Sequence, residues 1–190
     1  MKLYLIRHPK PEHADGVCYG RLDLSVDSAE SARTLVEVRE RIPPEIWQQA
    51  PIVTSPLARC ANFANALAAP GTAQVADELI EMDFGTWEGR PWQAISREEL
   101  DRWSLDLWTY RPGDGENAVS IAARWERWLA RMRATKTTTV VAVTHAGVIR
   151  VALALAGRRR LDDLAQATIA FGSVHCIADA DTAGPGSPWC

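Results

Sequence analysis

Residues 1–21 read MKLYLIRHPKPEHADGVCYGR. Four apolar residues, Leu3 to Ile6, run directly into Arg7 and His8, and Pro9 then stops the segment from continuing as strand or helix. A short apolar run of this kind reads as a buried strand. Its carboxyl end would deliver two cationic-capable side chains to one edge of a sheet. Pro9 also drives His8 out of the helical region, because the proline ring clashes with the residue before it.

Outward from that strand, strand-like and helix-like patterns alternate. The stretch DSAESARTLVEVRERI (27–42) opens with Asp27 and Glu30 in capping spacing, and Ala29, Ala32, Leu35, Val36 and Ile42 recur at helical intervals. A short strand, PIVTS (51–55), follows. Ser55 and Pro56 then read as N-cap and first residue of a helix that Pro70-Gly71 closes. After the brief AQVADELI (73–80), residues 84–115 hold Trp87, Trp92, Trp103 and Trp108 and form an expected lid. The clearest helix is AVSIAARWERWLARMRA (118–134), with Val119, Ala122, Trp125, Leu129 and Met132 on one stripe. TTTVVAVT (137–144) is a fully buried strand by composition, followed by His145-Ala146-Gly147 and the helix VIRVALALA. A last strand lies within ATIAFGSVHCIAD (167–179), and a Gly/Pro-rich tail at 180–190 is expected to be loose.

The length of 190 residues fits one domain spanning 1–190, with no internal repeat and no linker. A formal charge of -3 gives no basic excess for nucleic acid, and Arg158-Arg159-Arg160 reads as a solvated helix end. The longest apolar stretch carries Arg150, so no membrane span is expected. LYLI is too short for a secretory core, so a cytoplasmic protein is expected. Cys18, Cys60, Cys176 and Cys190 lack C-x-x-C spacing, which predicts reduced structural thiols and no metal site.

Strands separated by helices predict an α/β fold with a mostly parallel sheet covered on both faces. Ligands of such sheets bind beyond the carboxyl ends of the strands. His8 follows the first strand, His145 follows TTTVVAVT, and Ser55 to Arg59 follows a third strand. If these strands are parallel neighbours, Arg7, His8, Arg59 and His145 share one rim. Two guanidinium forks suit a tetrahedral phosphate, and Arg59 in the first turn of a helix adds the helix dipole. A neutral imidazole at His8, one nitrogen held by a backbone carbonyl, is a nucleophile towards phosphorus. An alkoxide leaving group needs a proton, for which Asp77, Glu78, Glu81, Asp83 and Glu88 are all candidates. Glu81 has the most apolar neighbours, Ile80, Met82, Phe84 and Trp87, which would favour its neutral form. His13 and His175 lack arginine companions and read as core histidines.

LIRHPKP, TSPLAR, LIEMDFGTWEG and VTHAGVIR are similar, in this order, to the signature segments of the histidine phosphatase superfamily, in its phosphoglycerate mutase-like branch. The resemblance runs from residue 3 to about residue 155. It implies a three-layer α/β/α sandwich, with His8 the phosphorylated nucleophile and Arg7, Arg59 and His145 holding the phosphoryl group. It also singles out Glu81 as proton donor. GVCYGRLDL (16–24) is similar to the corresponding segment of the alpha-ribazole phosphatase branch, which dephosphorylates a cobalamin-pathway nucleotide. The chain departs from the family at Pro9-Lys10-Pro11 and at Ala14, where the family carries Asn. PGDGEN (112–117) resembles a family turn but reads here as a helix-capping loop.

The expected activity is metal-independent and cofactor-free hydrolysis of a small phosphorylated metabolite, with protonated His145 among the groups offsetting charge. Tyr19, Arg21 and Trp87 are expected to contact the substrate and Arg90 to meet polar groups at the rim. A second copy of the chain is the one macromolecular partner considered. Two alternatives stand beside this reading. One is a mutase that returns the phosphoryl group to a rearranged substrate. The other is a non-catalytic module that binds phosphorylated ligands.

Overall fold

The computed structural model describes residues 1–157 and 160–178. Arg158, Arg159 and the tail at 180–190 lie outside the described residues, and Arg160 is exposed and paired with Asp162. Five strands, β1 (Lys2–Arg7), β2 (Ile52–Thr54), β3 (Gln74–Val75), β4 (Thr139–Thr144) and β5 (Val174–Ala178), form one sheet in the order β3-β2-β4-β1-β5. All neighbours run parallel except β5, which pairs antiparallel with β1. The helices are α1 (Ser28–Arg41), α2 (Pro44–Gln49), α3 (Ala58–Ala68), α4 (Arg97–Leu105), α5 (Ala118–Ala134), α6 (Ala146–Leu155) and α7 (Leu161–Gln166).

Alternation along the central strands supplies both faces of the sheet. Leu3, Leu5, Val140 and Ala142 pack with α5 and α6, whereas Tyr4, Ile6, Val141 and Val143 pack with Val38, Ile42 and the α3 residues Phe63, Ala64 and Leu67. With period two, both sides of each strand are apolar, as a sheet covered twice requires. The result is the expected three-layer α/β/α sandwich.

Several local expectations shift. The inner face of α1 is Thr34, Leu35, Val38 and Ile42; Ala29, Ala32 and Val36 face outward, Val36 being 58% exposed. In α5 the buried line is Ala118, Ile121, Arg124, Trp125 and Trp128, and Val119 is 48% exposed. Ala122, Leu129 and Met132 flank that line, packed against the same core. Helix α3 begins at Ala58 rather than Pro56, and Ser55 does not cap it. The Ala58 N–H is instead held by both carboxylate oxygens of Asp23, at 3.0 and 2.9 Å. Asp27 caps α1 through the Ala29 and Glu30 N–H groups, and Asn117 caps α5, so 112–117 is a capping loop. Cys18 and Cys60 are free and buried, but Cys176, on the edge strand β5, is disulfide-bonded, contrary to the expectation of reduced thiols throughout.

Residues 84–115 fold around their own aromatic cluster. Phe84, Trp87, Trp92 and Trp103 meet at ring-centroid distances of 5.7 to 6.5 Å, mostly edge to face, with Trp92 stacked on Trp103. Trp108 packs against the α5–α6 core instead. The segment closes where Gly85 and Gly113, both at positive φ, bring two backbone turns into contact that any Cβ would obstruct. Among the described residues, no helix is long and apolar enough to cross a membrane.

Candidate active site

Register alone aligns the ends of three strands. Arg7 pairs with Thr144, Thr54 pairs with Val143, the His8 N–H bonds the Thr144 carbonyl at 3.1 Å, and the Ser55 N–H bonds the Val143 carbonyl at 3.0 Å. His8, His145 and Ser55 are therefore the first residues past β1, β4 and β2. The rings of His8 and His145 stand edge to face, centroids 5.0 Å apart.

His8 is 2% exposed, and its Nδ1 donates to the Pro9 carbonyl at 2.7 Å. That bond fixes the tautomer with Nε2 unprotonated, its lone pair pointing away from the carbonyl. Burial first, and then the charges of Arg59 and Arg7, push the His8 pKa well below the ordinary value. A neutral, oriented imidazole results.

Arg7 is held from two sides. Its Nη1 donates to the Ile169 carbonyl at 2.5 Å, and the guanidinium lies 3.7 Å from the centre of the Phe171 ring. Burial lowers the Arg7 pKa, and Tyr19 and Glu81 close by offset part of that effect. Arg59 donates through Nη1 to the Leu22 carbonyl at 2.8 Å and through Nη2 to the Gly20 carbonyl at 2.5 Å. Its Nη2 also meets His145 Nδ1 at 3.3 Å. On both arginines, Nε is buried and without a partner. Two buried unpaired donors on cationic groups around one imidazole are an arrangement that an anion would complete.

His145 is wholly buried, with Nε2 2.8 Å from Ser55 Oγ and 3.4 Å from the Cys60 sulfur. Since Arg59 can only donate, His145 Nδ1 accepts and Nε2–H donates to Ser55. Burial, followed by His8 and Arg59, drives the His145 pKa well down. These surroundings favour a neutral ring at His145, where the sequence reading expects a protonated one beside the phosphoryl group.

Glu81 is 9% exposed and follows the turn at Asp77–Leu79. Its Oε1 accepts from the Met82 N–H and its Oε2 from the Gly147 N–H, each at 3.0 Å. A Cβ at Gly147 would lie 2.4 Å from Glu81 Oε1, so the carboxylate can hold this position only beside a glycine. Glu81 and Gly147 open onto a cavity of about 260 Å³ whose walls include Phe84, Trp103, Leu107 and Leu161, with Arg150 at its side.

The other expected contacts divide. Tyr19 stands beside both arginines, 5.3 Å from Arg59 by ring centre. Arg21 instead faces Asp83 at 3.4 Å and Glu116 at 3.6 Å. Trp87 is completely buried and donates to Glu99, so it packs segment 84–115 and faces no cleft. Arg90 bonds the Ala94 carbonyl. Lys10 pairs with Asp15 at 2.8 Å, and Ala14, buried, offers no polar contact. His13 is exposed and His175, bonded to Ser173, lies in β5. Sequence reasoning missed Ser55 as the partner of His145, Phe171 under Arg7, and Asp23 beside Arg59 at 3.8 Å. For Ser55, its place directly after a strand was the available signal; the Ser-Pro pair suggested a cap instead.

The model of the histidine phosphatase superfamily (branch 1) matches residues 3–183. The adenosylcobalamin/alpha-ribazole phosphatase of Escherichia coli (strain K12) is 26% identical over 163 residues, covering 81% of this chain and 78% of its own. A mycobacterial glucosyl-3-phosphoglycerate phosphatase solved with VO3 superposes with a TM-score of 0.78 at 23% identity, over 93% of this chain and 92% of that one. A structure described as a phosphoglycerate mutase from Thermus thermophilus gives a TM-score of 0.71 at 25% identity, over 93% and 92% of the two chains. With a family match across nearly the whole chain and the fold to accompany it, this chain belongs to the histidine phosphatase superfamily, branch 1, and is a phosphatase of that family.

Proposed function

We propose that the protein is a metal-independent phosphomonoesterase that works through a phosphohistidine at His8. The observation that carries this reading is the pair of buried, unpartnered Nε groups of Arg7 and Arg59 around an imidazole whose Nδ1 is already committed to Pro9. His8 Nε2 attacks phosphorus and the phosphorus–oxygen ester bond breaks. Glu81 gives its proton to the departing oxygen, and the alcohol leaves. Water then attacks the phosphohistidine, Glu81 takes a proton from it, and the nitrogen–phosphorus bond breaks to release inorganic phosphate. Burial and then cationic neighbours disfavour a proton on His145; a dianion between the two arginines offsets the cationic part, so that ring gains affinity for a proton when substrate arrives. Phosphate-monoester hydrolysis needs accelerations of up to ~10²¹. Fixed guanidinium groups in a largely dry site supply charge stabilisation without reorganisation.

For the leaving group, the cavity beside Glu81 favours an alcohol bearing an aromatic or apolar body over a small charged acid. Phe84, Trp103, Leu107 and Leu161 offer hydrocarbon, and Arg150 and Ser104 offer polar contact. Alpha-ribazole 5'-phosphate, a nucleotide with an aromatic base, has this character, and the Escherichia coli relative is named for it. Trp87 and Arg21 have no part in this version of the subsite. Phosphoglycerate would place a carboxylate against mostly apolar walls, which disfavours the mutase alternative.

Quenching during turnover of a ³²P-labelled ester tests the mechanism. The label should be lost in acid, survive alkali and be absent from His8→Ala. Label with the opposite stability would indicate a seryl or aspartyl intermediate and end this reading.

A further inference from the structure

Glu88, a candidate proton donor by sequence, is engaged elsewhere. Its carboxylate accepts from four backbone N–H groups: Gly20 at 2.9 Å, Arg21 at 2.9 Å, and Leu22 and Phe84 at 3.0 Å each. Three of these donors belong to one loop and the fourth to segment 84–115, so a single side chain joins the two. The loop approaches so closely that a Cβ at Gly20 would overlap the Met82 carbonyl.

The opposite side of the same loop holds Arg59. The Gly20 carbonyl and the Arg21 N–H belong to one planar trans peptide unit, in which the two groups point in opposite directions. Glu88 accepts from the N–H end of that unit, and Arg59 Nη2 donates to the carbonyl end. Leu22 repeats the pattern across one residue, its N–H on Glu88 and its carbonyl on Arg59 Nη1. A rigid peptide thus lies between a carboxylate and a guanidinium, and displacement at one end is passed to the other.

We infer that Glu88 is a positioning residue for phosphoryl binding: through peptides 20–22 it fixes Arg59 so that the guanidinium Nε stays directed at the anion site. This rests on the phosphoryl-site reading above. In its absence the loop N–H groups would turn to water, the carbonyls would follow, and Arg59 would keep its charge but lose its aim. Glu88 touches no reacting atom in this account.

Affinity for inorganic phosphate, measured by calorimetry, tests the inference in a double-mutant cycle of Glu88→Gln and Arg59→Ala. Glu88→Gln should weaken phosphate binding about tenfold in the native background and by less than about twofold when Arg59 is already alanine. A role in folding alone would not make the effect depend on Arg59. Glu88→Asp, shorter by one methylene but still charged, should give an intermediate loss, and serves if Glu88→Gln does not fold. In either variant, the Arg59 Nε–H resonance should broaden or shift in NMR spectra. Unchanged phosphate affinity in Glu88→Gln, or equal losses in both backgrounds, overturns the inference alone. If Arg59→Ala itself leaves phosphate binding intact, the phosphoryl-site reading fails and the inference fails with it.

Discussion

Two buried histidines held neutral give the site a pH signature of its own. The pKa values of both His8 and His145 are lowered well below the ordinary value of about 6.5 by burial and cationic neighbours. Below that pH the unfolded chain binds a proton on each ring and the folded chain does not, so stability rises with pH up to about 6.5 and then levels. Each ring contributes a slope of up to about 1.4 kcal/mol per pH unit on the acid side. Urea unfolding between about pH 7 and pH 5 should show this loss, and His8→Asn should remove one ring's share. A slope unchanged in that variant would mean that His8 is charged in the native state. Gly147 offers a second test at this scale. A methyl group there would displace the Glu81 carboxylate. Gly147→Ala should slow alkyl phosphates about 10²-fold or more, and aryl phosphates with good leaving groups much less, because only the former need the proton. Equal losses on both would remove Glu81 from the proton-transfer step.

Among the elements, α5 joins the core to the rim of the site. Arg124, 6% exposed, forms a two-pronged pair with Glu116, at 3.0 and 3.1 Å, and donates to the Glu78 carbonyl at 2.5 Å. Glu116 in turn faces Arg21, and its N–H bonds the Asp83 carbonyl. Removing Arg124 would leave the Glu116 carboxylate, 11% exposed, facing only the more exposed and more distant Arg21. Arg124→Ala should therefore cost about 3 kcal/mol or more in chemical denaturation, whereas Glu116→Gln with Arg124→Met should recover much of it. The same helix shows the limit of pattern reading. Its existence and its Asn117 start were plain, but the stripe through Val119 was rotated from the true line through Ala118, Ile121, Trp125 and Trp128. In α1 the alanines misled similarly, since a methyl group is tolerated on either face and carries little orientation signal.

At the scale of the molecule, the proposed chemistry and the cavity together predict substrate preference. Benzyl phosphate and glycerol 3-phosphate both release primary alcohols, so leaving-group acidity contributes little to the comparison. The benzyl ester should have a kcat/KM higher by about tenfold, consistent with one buried aromatic body, and Leu107→Glu should abolish that advantage while sparing glycerol 3-phosphate. A preference for the glycerol ester would place the substrate body elsewhere. The strand-to-histidine junctions at His8 and His145, the alternation of strands with helices, and Arg59 in the first turn of α3 all came from the chain itself. Each is a local consequence of apolar runs, proline and turn residues, and strand ends in a parallel sheet necessarily share one rim. The tertiary structure alone decided that Ser55 orients His145, that Phe171 lies against Arg7, and that Glu88 supports the loop behind Arg59. It also turned Trp87 inward and tied Arg21 to Asp83 and Glu116. Arg21 and Glu88 meet across 67 residues of chain, and Ser55 and His145 across 90. No local pattern encodes which distant backbone a side chain will meet; only the packed sheet and its loops bring the two together.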